Sequence, residues 1–362
     1  MKPRSLGLAV LLVGLSALPG FAASWNPRLA ADYLDAREKA WFVWPNATQY
    51  SGGVCISCHT GIPYLLVRPG LRRALGEAQP TSWEQGLVDG IRARVDITDP
   101  EQFTKKPGFS KNPRAARFVS AESIFAALFL TLDNPASPES ERAFNRMWSL
   151  QIQDGKDKGS WQWLVTFGDP SSNQQAAFFG ACLAAMAVGN TAAEYRHRAG
   201  VQEHVAMLVS YLEGERGNQP LFNRLALLWA SATLPGILPD TARHALIAET
   251  LKKQEADGGW TMESLGPWAE HPQAPPASGS SSYATGFVAF VLQKGGVKPS
   301  DPALHRALDW LRAHQDREGG YWAAESMNKT YEAGSMPVQF ARDTATAFAA
   351  LALLEAGDMA KQ

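Results

Sequence analysis

Cysteine is scarce, with three in 362 residues, and two of them lie within four positions of one another. That excludes the disulfide framework of a small secreted scaffold, which needs paired cysteines spread along the chain. A basic excess is missing too: 34 Lys and Arg stand against 35 Asp and Glu, for a formal net charge of −1. No concentrated cationic surface is available for a phosphate backbone, so no nucleic-acid partner is expected. Alternating apolar and polar runs of the β type are almost lacking, which points away from a sheet-based fold. The third cysteine, Cys182, stands in Phe-Phe-Gly-Ala-Cys-Leu-Ala and reads as a small core residue.

What is present begins at the N-terminus. Met-Lys-Pro-Arg, an apolar run from Leu6 to Leu18 and then Pro-Gly-Phe-Ala-Ala have the layout of a secretory signal peptide over residues 1–23. Cleavage is expected after Ala22 or Ala23. The run is shorter than the ~20 residues that a bilayer core requires, so no stable membrane span is expected after cleavage. A periplasmic or otherwise exported location follows.

The two close cysteines stand in Gly53-Val54-Cys55-Ile56-Ser57-Cys58-His59-Thr60. This is the CxxCH spacing of c-type haem attachment: thiols three positions apart reach the two vinyl groups of one porphyrin, and the adjacent imidazole falls to the iron. A redox dithiol and half of a zinc site are the competing readings. Zinc needs about four ligands and no second Cys pair exists; a thioredoxin-like dithiol wants a βαβ setting. The expectation is one covalent haem c on Cys55 and Cys58, with His59 as proximal iron ligand.

Beyond the motif the chain repeats itself. Apolar stretches rich in Ala, Leu and Phe run over 62–75, 122–132, 175–186, 222–230, 283–292 and 344–354, at a pitch of roughly 50 to 60 residues. A helix apolar on every side is buried on every side, whereas the intervening segments, such as 241–254 and 302–315, are amphipathic. Ser137-Pro138 and Asp301-Pro302 mark helix starts. The alternation predicts an all-α fold: an α/α toroid of about six helical hairpins with inner and outer helix rings. The expected organisation is an N-terminal segment at 24–60 carrying an outer helix and the CxxCH motif, the toroid at 61–357 and a tail at 358–362. The first inner helix is expected to be interrupted near Pro63 and Pro69.

A further pattern links outer to inner helices: Gln153 to Gly159-Ser160-Trp161, Gln254 to Gly258-Gly259-Trp260 and Gln315 to Gly320-Tyr321-Trp322. On these Gln-to-Trp repeats the chain resembles the terpenoid cyclase and protein prenyltransferase toroid superfamily over roughly residues 60–357. The resemblance implies the six-hairpin toroid without the catalytic chemistry. Squalene-hopene-type cyclases use an acidic DxDDTA motif; here Phe340-Ala341-Arg342-Asp343-Thr344-Ala345 puts Phe and Arg at two of the three acidic positions. The prenyltransferase zinc set and the complement-type Cys-Gly-Glu-Gln thioester motif have no counterpart here. Terpene cyclase activity is therefore not expected.

If all inner helices run the same way, Glu122, Gln175, Asn223, Tyr283 and Asp343 converge on the rim where the CxxCH motif lies. Glu122, Tyr283 and Asp343 are the catalytic candidates there, each competing with a role as a helix cap. The connections 162–174, 261–282 and 323–342 arrive at the same end, and 266–282 reads as a lid. Met or His as a sixth ligand favours electron transfer, and an open position favours substrate chemistry. Met262, His271, Met327 and Met336 are the candidates for that place, with Met336 preferred because it precedes the last inner helix. His197, His204, His244, His305 and His314 fall on or near outer helices.

Three functions fit. The first is a periplasmic monohaem cytochrome passing electrons to or from a redox partner protein. The second is a haem-dependent oxidoreductase acting on an apolar, isoprenoid-like small molecule in the toroid. The third is a non-enzymatic haem-containing binding or sensor module. Whether the chain is an enzyme stays open at this level.

Overall fold

The computed structural model describes residues 24–56, 58–165, 170–268, 271–276 and 279–358. The expected signal peptide lies outside the described residues. Among those described the fold is almost wholly helical, with isolated bridges and no strand.

Twelve principal helices alternate between two rings. The outer ones are α1 (Pro27–Val43), α3 (Ser82–Ala93), α5 (Pro138–Ser149), α7 (Ala199–Glu215), α9 (Asp240–Leu251) and α11 (Pro302–Ala313). The inner ones are α2 (Gly61–Ala74), α4 (Ala115–Asp133), α6 (Ala176–Gly189), α8 (Leu221–Ser231), α10 (Ser282–Lys294) and α12 (Phe340–Glu355). Inner helices pack in the order α4, α6, α8, α10, α12, α2, and outer helix α3 touches both α2 and α4 where the ring comes round. The α/α toroid of six hairpins is thereby observed.

Burial separates the rings as composition requires. In α6 every residue except Ala177 and Gly189 is buried, including Cys182; α9 buries only Leu246 and Thr250. Each large apolar side chain withdrawn from water stabilises the fold by about 1.5–3 kcal/mol. Small residues let inner helices approach closely: a Cβ on Gly286 of α10 would stand 2.6 Å from the Ala349 amide of α12.

Local signals set the boundaries. The Asn26 side chain accepts from the Arg28 and Leu29 amides, ahead of Pro27 in the first turn of α1. Ser137 and Asp301 cap α5 and α11 in the same way, each followed by proline. Helix α2, expected to be interrupted, runs unbroken from Gly61 to Ala74. Pro63 lies in its first turn, where no amide is needed, and packing against α12 and α1 holds the helix through Pro69.

The Gln-to-Trp pattern is a repeated lock between successive outer helices. Gln254 donates to the carbonyls of Gly258 (2.8 Å) and of Ala303 in α11 (2.7 Å), and Trp260 donates to the Thr250 carbonyl (2.9 Å). Gln315 and Trp322 repeat this toward Asn26, at the start of α1. In the first repeat the glutamine is Gln151, not Gln153: Gln151 donates to the carbonyls of Gly159 and of His204 in α7. The turn there is longer, which puts the locking glutamine two residues before the one that sequence spacing selects. Gly320 has φ of 74°, and a Cβ on it would stand 2.3 Å from the Leu29 carbonyl oxygen.

Candidate functional site

The inner helices begin at one end of the ring, and the segment that precedes α2 crosses that end. This segment is held from outside. Arg94, at the end of α3, donates to the carbonyls of Ser51 (2.8 Å) and Val54 (3.1 Å). Its guanidinium also pairs with Glu122 at 2.5 Å, and Glu122 pairs in turn with Arg146 at 3.0 Å. All three side chains are buried. Gly52 has φ of +71° and lies against Ala93, where a Cβ would stand 2.2 Å from the Ala93 Cβ. Trp41 donates to the Cys55 carbonyl at 2.7 Å, and the Cys55 amide donates to Ala47 at 2.9 Å.

Neither Cys55 nor Cys58 takes part in a disulfide among the described residues. Burial pushes the Cys55 thiol up to about 11, with the Tyr50 hydroxyl and Arg94 pulling the other way. Cys58 faces the ring interior, where it lines a cavity of about 40 Å³. His59 stacks on Phe340, the first residue of α12, with ring centroids 5.0 Å apart. Thr344, one turn on, donates to the His59 carbonyl at 3.1 Å. The motif therefore stands against the start of the last inner helix, as the rim arrangement requires. Ser57 lies outside the described residues.

The cavity wall is apolar and aromatic. Leu66, Phe125, Leu183, Trp229 and Phe348 line it from helices α2, α4, α6, α8 and α12. Phe179, Phe222 and Tyr283 stand at the starts of α6, α8 and α10. Polar side chains on its surface are Cys58, Ser171, Ser172, Tyr283 and Thr344. No Asp, Glu, Lys or Arg lines it among the described residues.

Of the three rim candidates, Tyr283 reaches the cavity and the other two do not. Helix α4 starts seven residues before Glu122, which places Glu122 two turns in, between Arg94 and Arg146. Asp343 is fully buried and accepts from Arg37 Nε (2.8 Å), Arg37 Nη2 (3.0 Å), Tyr33 (2.8 Å) and Thr60 (3.0 Å). Burial raises its pKa, opposed by those partners. Gln175 and Asn223 act locally, Asn223 donating to the Gln175 carbonyl at 3.0 Å.

Met336 lies in a short turn just before α12, and its sulfur accepts from Arg37 Nη2 at 3.0 Å. Met262 is buried, with its carbonyl accepting from Trp268. His271 Nδ1 accepts from the Gln273 amide in the 266–282 connection, and Met327 packs against the core. His204 and His314 lie flat on Trp148 and Trp310 of outer helices.

One residue escaped sequence reasoning. Glu38 of α1 is fully buried, and among the described residues neither carboxylate oxygen has a hydrogen-bond partner. It lies against the start of α2, where a Cβ on Gly61 would stand 3.8 Å from Glu38 Oε1. Burial first, and the Asp343 charge second, push its pKa well above the usual carboxylate range. The signal was a Glu on the helix face of Leu34 and Trp41, which is the buried face of α1.

Covalent haem demands two thiols three positions apart and a neighbouring imidazole. Cys55, Cys58 and His59 supply that donor set, with Cys58 on the cavity wall, Cys55 buried against Tyr50 and His59 stacked on Phe340, so the residue types present fit the group.

Comparison with known proteins locates the chain's relatives. Residues 242–362 match the squalene-hopene cyclase C-terminal domain. The chain is 27% identical over 121 residues to a squalene–hopene cyclase of Bradyrhizobium diazoefficiens, a match spanning 33% of this chain and 16% of that protein. An α-1,6-mannanase of Salegentibacter sp. HEL1_6, solved with α-1,6-mannotriose, superposes with a TM-score of 0.51 at 12% identity, covering 91% of this chain and all of that one. A polysaccharide lyase superposes equally well, at 12% identity over 91% of this chain and 96% of that one. At this level of identity these similarities establish a cyclase-like α/α toroid, and a toroid supports many chemistries.

Proposed function

We propose that this chain is an exported c-type haem protein that acts as an oxidoreductase on an apolar, isoprenoid-like molecule held in the ring cavity. One observation carries the reading: Cys58 of the CxxCH motif is itself a wall residue of the aromatic cavity. A plain electron carrier has no use for such a chamber next to its haem. Mainly apolar walls carrying a few polar groups are the usual form of small-molecule sites.

When bound, the haem supplies one-electron and oxygen chemistry, set by its axial ligands and surroundings. Cys55 and Cys58 would hold it and His59 would ligate it. The chain's own contribution is positional. Arg94 fixes the loop ahead of Cys55, Phe340 and Thr344 fix His59, and the aromatic wall would exclude water from a molecule held against it. The Arg37 contact with the Met336 sulfur would have to break before Met336 could serve as a ligand. This favours the oxidoreductase reading over that of a Met-ligated electron carrier.

The test is spectroscopic. Protein produced with haem-attachment machinery and exported should give a pyridine haemochrome spectrum of one haem c per chain, and its ferrous form should bind carbon monoxide. A colourless product would overturn the haem reading. A haem protein that refuses carbon monoxide would return the assignment to electron transfer.

A further inference from the structure

One stretch of the chain carries a block of charge of a single sign. Residues 105–117 hold five of the 34 Lys and Arg, namely Lys105, Lys106, Lys111, Arg114 and Arg117, and none of the 35 Asp and Glu. The first four are exposed and Arg117 is half-buried. Among the described residues none of the five side chains makes a hydrogen bond or an ion pair. On a chain whose formal net charge is −1, this leaves a concentrated positive surface on an otherwise acidic body. Such an asymmetry steers and orients charged partners as they approach.

The block is held in place, and against local preference. Glu101 accepts from the Gly108 amide (2.6 Å) and from the Ser110 amide (3.0 Å) and hydroxyl (2.6 Å), which uses this carboxylate to shape the loop. The Phe109 ring packs on Phe118 of α4, with centroids 6.0 Å apart. Arg114 is the N-cap of α4 and Arg117 lies in its first turn, with no acidic residue there and no side-chain cap. The amide end of a helix carries partial positive charge and favours Asp or Glu, so cations at this end oppose helix stability. Departures from a local rule of this kind are expected at functional places.

The same face adjoins the CxxCH motif. The Lys105 amide donates to the Gln49 carbonyl at 2.7 Å and the Ser51 amide to the Phe103 carbonyl at 3.2 Å, so the loop lies alongside the segment that leads into Cys55. That segment opens on a turn at Trp44, which is half-buried, next to Val43, which is 75% exposed. Inward from Trp44 the rings are continuous: Trp44 meets Phe340 with centroids 6.4 Å apart, and Phe340 stacks on His59 at 5.0 Å. A protein resting on Trp44 would reach the His59 imidazole through these two ring contacts.

We infer that residues 105–117, with Val43 and Trp44 beside them, form the docking face for the acidic surface of a redox partner protein. This rests on the reading of the chain as a haem oxidoreductase, which needs an electron donor or acceptor besides its substrate. An anionic bilayer is the competing occupant of a basic face, and the structure gives it little to hold. Among the described residues the exposed large apolar side chains are Val43 and Leu132, and Leu132 lies at the far end of α4. Membrane anchoring scales with buried apolar area, whereas an electron-transfer encounter is small and steered by charge.

The experiment measures equilibrium binding of the purified full-length mature protein to a plant-type 2Fe–2S ferredoxin, a small acidic electron carrier, by biolayer interferometry. Binding should weaken by about tenfold or more between low salt and physiological salt, where the screening length is ~8 Å. Lys105→Gln, Lys106→Gln and Lys111→Gln combined should weaken low-salt binding by about tenfold or more. Lys252→Gln, Lys253→Gln and Lys298→Gln combined remove the same charge from exposed positions elsewhere and should leave binding unchanged. Carbodiimide, which joins carboxylates to lysine amines, should link the ferredoxin to Lys105, Lys106 or Lys111. No binding at low salt, an equal response of the two variants, cross-links confined to other lysines, or capture by phosphatidylglycerol vesicles through the same three lysines would each overturn the inference. Haem content is read on the same samples. Colourless protein that binds through the three lysines removes the haem assignment and leaves the docking face standing; haem-loaded protein that ignores the ferredoxin does the reverse.

Discussion

Gln315 and Asn26 join the last outer helix to the first: the glutamine amide donates to the Asn26 carbonyl at 2.9 Å, and its oxygen accepts from the Asn26 amide at 2.6 Å. Between other hairpins the same lock connects neighbours in sequence. Here it spans 289 positions and closes the ring.

Gln315→Ala is expected to lower stability by about 1–3 kcal/mol, because the Asn26 amide and carbonyl and the Gly320 carbonyl lose this partner. Urea unfolding monitored by circular dichroism would measure it. Gln153→Ala is the control, expected within about 0.5 kcal/mol of wild type, since among the described residues the Gln153 side chain reaches only the Gln151 carbonyl. Equal effects would mean that the lock had been assigned to the wrong glutamine.

Removing the charge of Glu122 leaves Arg94 and Arg146 buried without an anion. Glu122→Gln should therefore cost about 3–5 kcal/mol, as breaking one side of a buried ion pair does. Because Arg94 also holds the Ser51 and Val54 carbonyls, the variant should attach less haem per chain. A change of less than 1 kcal/mol by chemical denaturation would show that the cluster is not a structural clamp.

Met336→Leu should leave the ferric absorption spectrum unchanged, because the Met336 sulfur is engaged by Arg37. Loss of a Met–iron charge-transfer band in the variant would instead identify Met336 as the sixth ligand. The two outcomes are exclusive.

Glu38 makes stability depend on pH with a definite sign. Its folded pKa lies well above the unfolded value, so between the two the native state holds a proton that the unfolded chain has released. Stability is then full below the unfolded pKa, near 4.3, and falls as pH rises toward the folded pKa. Asp343 and Asp35 add to the rise and Arg37 opposes it. Glu38→Gln should gain on wild type as pH is raised from 5 to 8. A constant stability difference across that range, measured by urea unfolding, would show that Glu38 is ionised when folded.

Much of this architecture is legible in sequence because it rests on one-dimensional physics. Stretches such as 176–189 are apolar on every face and have to be buried on every face, and six of them alternating with amphipathic segments imply two concentric rings. Asn26-Pro27, Ser137-Pro138 and Asp301-Pro302 declare helix starts through local hydrogen bonding alone. The thiol and imidazole pattern of Cys55, Cys58 and His59 is likewise complete within five residues. What sequence spacing could not supply is which polar groups meet. Glu122 lies within the range of an inner helix, yet the direction in which it points depends on Arg94 and Arg146, 28 and 24 positions away. Asp343 is claimed by Arg37, and Glu38 is left without a hydrogen-bond partner among the described residues, because α1 packs on α2 and α12 only once the ring has closed. The cavity, and the place of Cys58 on its wall, exist only in that closed ring: a concave surface assembled from six helices belongs to none of them separately.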